Sequence, residues 1–470
     1  MVQISILNGI YSDEGPDFRT SYPVNMMPVP KSNGISTGYL RPAPGIVSNG
    51  TAPGINRGGI LWNGAVYRVM GDKLIRIATN GSFTSIGSVG SDGKPVTFDY
   101  SFDNLAIASA GNLWLYNATD GLRQNVDPDL GTVIDVLWVD GYFMTTDGQY
   151  LVVNDLNNPL SVNPLKYGSA EADPDPIVAI HKIRNEPAAI NRYTIEYFDN
   201  TGGSLFPFQR IEGAQIQKGA VGTHAVCEYL DMLAFVGSGF NEAVSVFLGG
   251  NATATKIGTR EVETILAGYT DDQLASIKME ARVDKANQLL YIHCPDRTLV
   301  YDVAASTELK GEPVWHILTS TVDGFAAYTA RDFVLFDGVW TCGHSSQPLL
   351  GHLDETVSSH WGQIVRWEFG TTIVYNESAG AIFHRLELVA LPGRVALGED
   401  PYISTSYSLD GETWSEERTI KAGMQGERAK RIVWFQQGHM KQWRVQRFEG
   451  DSDAHMSFAR LDAQLEPLAW

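Results

Sequence analysis

Residues 60–87, ILWNGAVYRVMGDKLIRIATNGSFTSIG, alternate apolar runs with polar pairs. Short period-two runs broken by Asn-Gly or Gly-Asp predict four antiparallel strands, with turns at Asn63-Gly64, Gly71-Asp72 and Asn80-Gly81. Type I′ hairpin turns need positive φ at both central residues, and Asn-Gly and Asp-Gly pairs supply it. Twelve such dipeptides occur along the chain. Random pairing would give about five, so hairpins dominate the reading. The unit recurs with decay. First turns are expected at Asp103-Asn104 and Asp140-Gly141, near Asn185, Asp231 and Asp284, and at Asp332, the last followed by Asp337-Gly338. They lie roughly 40 to 55 residues apart, the length of a four-stranded propeller blade.

The pattern predicts an all-β protein in three parts. Residues 58–364 read as a β-propeller of seven blades, alternatively six, without the Gly-His…Trp-Asp signature of WD40 repeats. One short helix is expected between blades, where Thr270 and Gln273 form a capping box and Asp271 and Asp272 favour the helix start. Residues 1–57 are rich in Pro, Gly and Asn and have little periodicity. They read as an extended arm that packs along something else rather than folding alone. Residues 365–470 alternate strongly and predict a C-terminal β-sandwich.

Composition narrows the function. The chain has 470 residues, 43% apolar and 19% charged, so it is globular. Its net charge of −19 is unevenly spread. Residues 1–57 carry 4 basic and 3 acidic groups, residues 58–364 carry 19 and 36, and residues 365–470 carry 12 and 15. A broad acidic surface does not grip DNA phosphates. Three cysteines (Cys227, Cys294 and Cys342) make no disulfide framework. The opening MVQISILNGIYSDEG has no secretory pattern and no run reaches 18 apolar residues, so folding in a reducing cytoplasm is expected, without a membrane partner.

The candidate chemistry is mostly structural. Ser408, Asp410, Gly411 and Trp414 resemble the Asp-box hairpin of sialidase-like propellers, where aspartate and serine pin a turn. His293-Cys294 and Cys342-Gly-His344 lack zinc spacing and read as buried strand residues; no metal or cofactor is expected. His344, His352 and His360 read as loop polar groups, and the Pro-framed acids Asp127, Asp129, Asp173 and Asp175 as turn residues. Phosphate-binding, dinucleotide, nucleophile-elbow and metalloprotease motifs are absent, so no enzyme and no catalytic residue is expected. The basic-aromatic stretches around Trp434, Trp443 and Arg444 fit half-buried strands, with a protein-interface rim as their functional reading.

The run Tyr22-Pro23-Val24-Asn25-Met26-Met27-Pro28-Val-Pro30-Lys31, with Gly38-Tyr39-Leu40-Arg41-Pro42-Ala-Pro44-Gly45-Ile46, resembles the opening of the packaged-DNA stabilisation proteins. These are the tail hub or tail accessory factors of short-tailed phages like the Salmonella type. The likeness returns at Arg57-Gly58, Ala65–Val69, Tyr269-Thr270 and Leu290–Asp302. It implies a non-enzymatic virion protein, made and folded in the host cytoplasm. Such a protein forms a homohexameric ring beneath the head–tail adaptor of the portal vertex. The ring holds a tail needle or plug, docks tailspikes or fibres, and retains packaged DNA, which passes without sequence-specific binding. Tyr22, Pro23, Asn25, Met26, Tyr39, Arg41, Trp434, Trp443 and Arg444 are the expected inter-subunit or partner contacts. Residues 1–57 are expected to brace the propeller and neighbouring subunits. Two rival readings are a sialidase-type glycan binder or glycosidase, which would need an arginine cluster in the central channel, and a receptor-binding adhesin using the C-terminal sandwich.

Overall fold

Two-residue turns set the strand spacing of this all-β chain. In the computed structural model, Asn63-Gly64, Asp140-Gly141, Arg184-Asn185, Leu230-Asp231 and Asp337-Gly338 all take positive φ at both positions, the backbone that keeps twisted antiparallel strands together. The structure describes residues 2–7, 10–12, 19–31, 34–79, 81–309, 311–376, 379–396 and 398–468. Asn80 of the expected Asn80-Gly81 turn lies outside them.

Seven antiparallel sheets follow one another as blades over residues 56–88, 97–124, 135–169, 177–210, 219–256, 278–318 and 330–354. Their inner strands form a ring: Asn56–Trp62, Thr97–Tyr100, Asp135–Val139, Ile177–Ile183, Val226–Tyr229, Lys278–Asp284 and Ala330–Phe336. Each touches the next, and the seventh touches the first. Blade 7 has only three strands of its own. Its fourth is Gly45–Thr51, paired with Leu349–Asp354 from Asp354↔Gly45 to Leu349↔Thr51. A side chain at Gly45 would collide with the Val357 and Ser359 carbonyl oxygens, at 2.6 and 2.7 Å from a Cβ, so glycine starts this closing strand.

Two local expectations need correction. Asp332 lies not in a turn but at a β-bulge inside Ala330–Phe336, with φ 59°, and the first hairpin of blade 7 is Asp337-Gly338. Among the described residues, three α-helices stand in place of the single one expected: α1 (Arg260–Ala267), α2 (Asp271–Ala275) and α3 (Val303–Glu308). The Thr270–Gln273 capping box starts α2 as expected. Thr259 caps α1 and Asp302 caps α3, signals obscured by the strands on either side.

The sandwich packs two sheets. One runs Met26–Val29, Tyr39–Pro42, Ser457–Pro467, Ala381–Leu391, Ile432–Phe435, with Val2–Ile4 and His439–Met440 added along it. The other runs Trp367–Gly370, Trp443–Gly450, Tyr402–Ser408, Arg418–Lys421, with Val374–Tyr375. Trp367, Phe369, Phe383, Phe448 and Phe458 fill the space between them, joined by Met26 and Leu40. The N-terminal segment is therefore built into both domains.

Burial also sets an acid sensitivity. His316 and His360 are almost wholly enclosed, and burial pushes each down to about 3. The unfolded chain protonates histidine near pH 6.5 while the folded chain stays neutral. Their stabilising contribution is complete above about pH 6.5 and is lost as pH falls toward 3. The loss is up to about 1.4 kcal/mol per pH unit for each group. Urea unfolding at pH 7 and pH 5 checks this: the midpoint drops at pH 5, and His360→Gln reduces the drop. An unchanged pH dependence in that variant would show that His360 is protonated in the fold.

Candidate functional site

The inner edges of seven inner strands leave N–H and C=O groups facing a central channel, and such groups need partners. Blades supply them to their successors. Asp99 accepts from the Trp138 N–H at 2.6 Å, Asp135 from Ile180 N–H at 2.9 Å, and Glu280 from Phe333 N–H at 2.8 Å. Cations serve the carbonyls. Lys182 donates to the Trp138 oxygen at 2.7 Å and pairs with Asp99 at 3.2 Å. Outside the inner strands, Arg57 donates to the carbonyls of Gly71, in a turn of blade 1, and of Gly90 and Lys94, in the loop between blades 1 and 2, and pairs with Asp92 at 2.7 Å.

The densest polar contacts lie where the ring closes. Arg68, fully buried in blade 1, donates to the Asp332 carbonyl at 2.8 Å and the Thr341 carbonyl at 3.1 Å in blade 7. The Asp332 carboxylate accepts from Asn56 Nδ2 at 2.6 Å and pairs with Lys278 of blade 6. Burial opposes this charge, but Lys278 and Arg68 outweigh it and hold the carboxyl below its usual range. His293 meets Glu280 at 2.6 Å and Thr298 at 3.0 Å. The sequence reading missed this seam. Its signal was the alternation Lys278-Met-Glu280-Ala-Arg282, charges placed every second residue in one inner strand.

A second junction joins propeller and sandwich. The N–H of Val24 donates to the Glu368 carbonyl of the sandwich, and Pro23 accepts from Ile317 of blade 6, each at 2.8 Å. Asn25, with φ 52°, donates through Nδ2 to the Thr319 carbonyl at 2.9 Å and the Arg366 carbonyl at 2.7 Å, and its Oδ1 accepts from Thr319 N–H at 3.1 Å. One amide thus clamps the N-terminal segment, blade 6 and the interdomain linker. The Tyr22 hydroxyl meets Thr259 and Glu261 at the start of α1, and burial pushes its pKa up.

The structure places several expected contact residues inside the subunit. Asn25, Met26, Trp434 and Arg444 are buried: Trp434 by alternation along Ile432–Phe435, Asn25 in a left-handed bend, and Met26 and Arg444 in strand stretches covered on both faces. Trp434 donates to the Arg418 carbonyl at 2.9 Å. Arg444 lies 3.8 Å from the Tyr407 ring centroid and 4.2 Å from that of Phe383, bonds Gln446 at 2.7 Å, and is lowered to about 9 by burial. Pro23 is also buried, and Trp443 is half-buried. Tyr39 and Arg41 instead line a cleft of about 1040 Å³ between the sandwich and the end of blade 7, where Arg41 pairs with Glu355 at 3.6 Å.

At the hairpin, Ser408 Oγ donates to Asp410 at 2.9 Å and accepts from Gly411 N–H at 2.7 Å. Asp410 accepts from the Thr413 hydroxyl and backbone N–H, which hold its carboxyl down to about 2. Trp414 bridges back to Ser408 and stacks under Arg447. Asp127 caps the 3₁₀ turn Pro128–Leu130 and Asp175 accepts from Tyr193 N–H. His344 and His352 lie in strands, contrary to the loop reading; His360 lies in a loop and bonds Ser320 at 2.8 Å. Among the described residues, no three His, Cys, Asp or Glu side chains gather as a metal site, and the three cysteines are free.

A family model described as Bacteriophage P22 Gp10, beta-propeller, matches residues 2–358, and one described as Bacteriophage P22 Gp10, beta-sandwich, matches residues 366–466. The chain belongs to the P22 Gp10 family. It is 28% identical over 463 residues to the tail hub protein gp10 of Salmonella phage P22, covering 93% of this chain and 94% of that one. Among solved structures, the Pan2 WD40 domain of Neurospora crassa is 10% identical with a TM-score of 0.43, covering 69% of this chain and 97% of its own. The designed Ika8 protein is 14% identical with a TM-score of 0.39, covering 74% and 99%.

Two substitutions test the junctions by urea unfolding. Lys278→Met strands the buried Asp332 carboxylate and is expected to cost about 3–5 kcal/mol. Adding Asp332→Asn should recover much of that; a double variant no better than the single one would show that the pair does not carry the seam. Asn25→Ala removes three hydrogen bonds and strains a left-handed residue, with an expected cost of about 2–4 kcal/mol. A loss near zero would contradict the clamp.

Proposed function

We propose that this chain is a structural tail hub of a short-tailed phage, a virion component with no catalytic role. The observation that carries the reading is the family match across both domains, together with a relative aligned over nearly its whole length. The finer reading is a homohexameric ring beneath the head–tail adaptor, holding a needle or plug and docking spikes or fibres. Family resemblance alone supports those partners. The surface chemistry is compatible: residues 58–364 carry 19 basic and 36 acidic groups, which favours sliding of DNA over gripping it. The buried Arg57 and Arg68 are committed to main-chain carbonyls, so they do not offer the arginine cluster that a sialidase-type pocket needs.

A nonsense mutation in the parent virus tests this through the DNase-protected DNA per capsid. Heads are expected to fill and then leak, with DNA retained once the purified protein is added back. Heads that keep their DNA but fail to adsorb would make the chain an adhesin. Full infectious particles would remove the virion role.

A further inference from the structure

The turn between the first two strands of blade 2 lifts Phe102 away from the sheet. Its side chain is 89% exposed, the most exposed large apolar one among the described residues. Asp103 follows it, also exposed and without an ion pair among the described residues. Leu61 and Tyr100 flank the knob, exposed by 42% and 45%, and with Trp138 they border a shallow depression. An apolar patch rimmed by acid marks an interaction surface more often than a solvated one.

The sandwich carries a hollow whose uncommitted charges are basic: of the acids in its lining, Glu355 pairs with Arg41, and Asp453 accepts from the Ser358 and Ser359 N–H groups. The cleft beside Tyr39 and Arg41 is lined by Val389, Leu391, Val395 and Phe458. Arg394 and Arg428, also in its lining, are exposed and make no ion pair among the described residues. In a chain of net charge −19, two uncommitted arginines beside an apolar hollow suit an aromatic side chain followed by a carboxylate. Blade 2 lies two places round the ring from blade 7, where the cleft opens, so a chain's own knob and cleft do not meet.

We propose that Phe102-Asp103 of one copy seats in the sandwich cleft of a second copy, with Asp103 against Arg394 and Arg428. The contact joins two different surfaces, so it is heterologous and builds a closed ring or an open chain of subunits. A buried phenylalanine contributes roughly 150–250 Å² of a standard interface of about 1,600 Å². The knob is therefore an anchor, and Leu61 and Tyr100 extend the contact around it. This inference rests on the ring reading and names the surfaces that close it.

Site-directed crosslinking in assembled particles tests it. A chain carrying both Ser101→Cys and Gln425→Cys, beside the knob and in the cleft lining, keeps Phe102, Asp103, Arg394 and Arg428 in place; it is treated with a short bis-maleimide and run on a denaturing gel. Each single variant and the natural chain, whose cysteines are buried or half-buried, serve as controls. The double variant is expected to give a ladder of covalent oligomers, and the controls none. Particles with several hub copies and no ladder would overturn the proposed contact while leaving the ring reading intact. Particles with a single copy would overturn both. The charge pairing has its own readout: Asp103→Arg should reduce hub incorporation at least tenfold, and adding both Arg394→Asp and Arg428→Asp should restore it. Failure of that rescue, with each chain melting like the natural one, would remove Asp103 from the contact.

Discussion

Blade 7 supplies only three strands, and the ring closes because Gly45–Thr51 arrives from the other end of the sequence as the fourth. Everything else in the architecture depends on that pairing. Without that strand, Leu349–Asp354 would be left as an unpaired edge at the rim of blade 7, a state that invites aggregation. The same N-terminal stretch, a few residues earlier, runs through the sandwich as Met26–Val29 and Tyr39–Pro42. Closing the propeller therefore tethers the sandwich, and Asn25 fixes the angle with three hydrogen bonds to blade 6 and the linker. A component loaded in a tail gains from this arrangement, because pulling on one domain loads main-chain hydrogen bonds in the other.

The polar channel follows from the same constraint. Inner strands have no neighbour on their channel side, so their backbone groups would be orphaned without side-chain partners. Asp99, Asp135 and Glu280 answer the N–H groups, Lys182 and Arg68 answer the carbonyls of Trp138 and Asp332, and Arg57 ties the turn and loop carbonyls between blades 1 and 2. Charges that look functional in a channel are here the mortar between blades. That leaves the exposed turns and the sandwich cleft as the surfaces free to meet other molecules.

Much of the fold was legible because hairpin turns have local chemistry. Asn63-Gly64, Asp140-Gly141 and Asp337-Gly338 each announce a type I′ turn within two residues. The capping box at Thr270 was equally local. Legibility failed where the cause was distant in sequence. Asp332 resembled a turn residue because its partners, Asn56 and Lys278, lie 276 and 54 positions away. Trp434 and Arg444 lie in strands as the alternation implied, but alternation alone does not say which face of a strand is covered, and that left an interface rim as their functional reading. The proline-rich opening read as an extended arm, without strands of its own, because Gly45–Thr51 and Tyr39–Pro42 find partners about 300 to 420 positions downstream. Family resemblance supplied the functional reading; composition only made it compatible.

The central claim is that residues 22–51 weld the two domains into one cooperative unit. Native-state hydrogen exchange measures it most directly. The ladder-bonded amides of Ile46–Thr51 and of Met26, Met27 and Val29 should exchange only through global unfolding, with the same free energy as those of Leu349–Asp354 and the sandwich strand Ser457–Pro467. Exchange of the N-terminal strands at a much lower free energy, while both domains stay protected, would show that the segment is an accessory tether and would contradict the account.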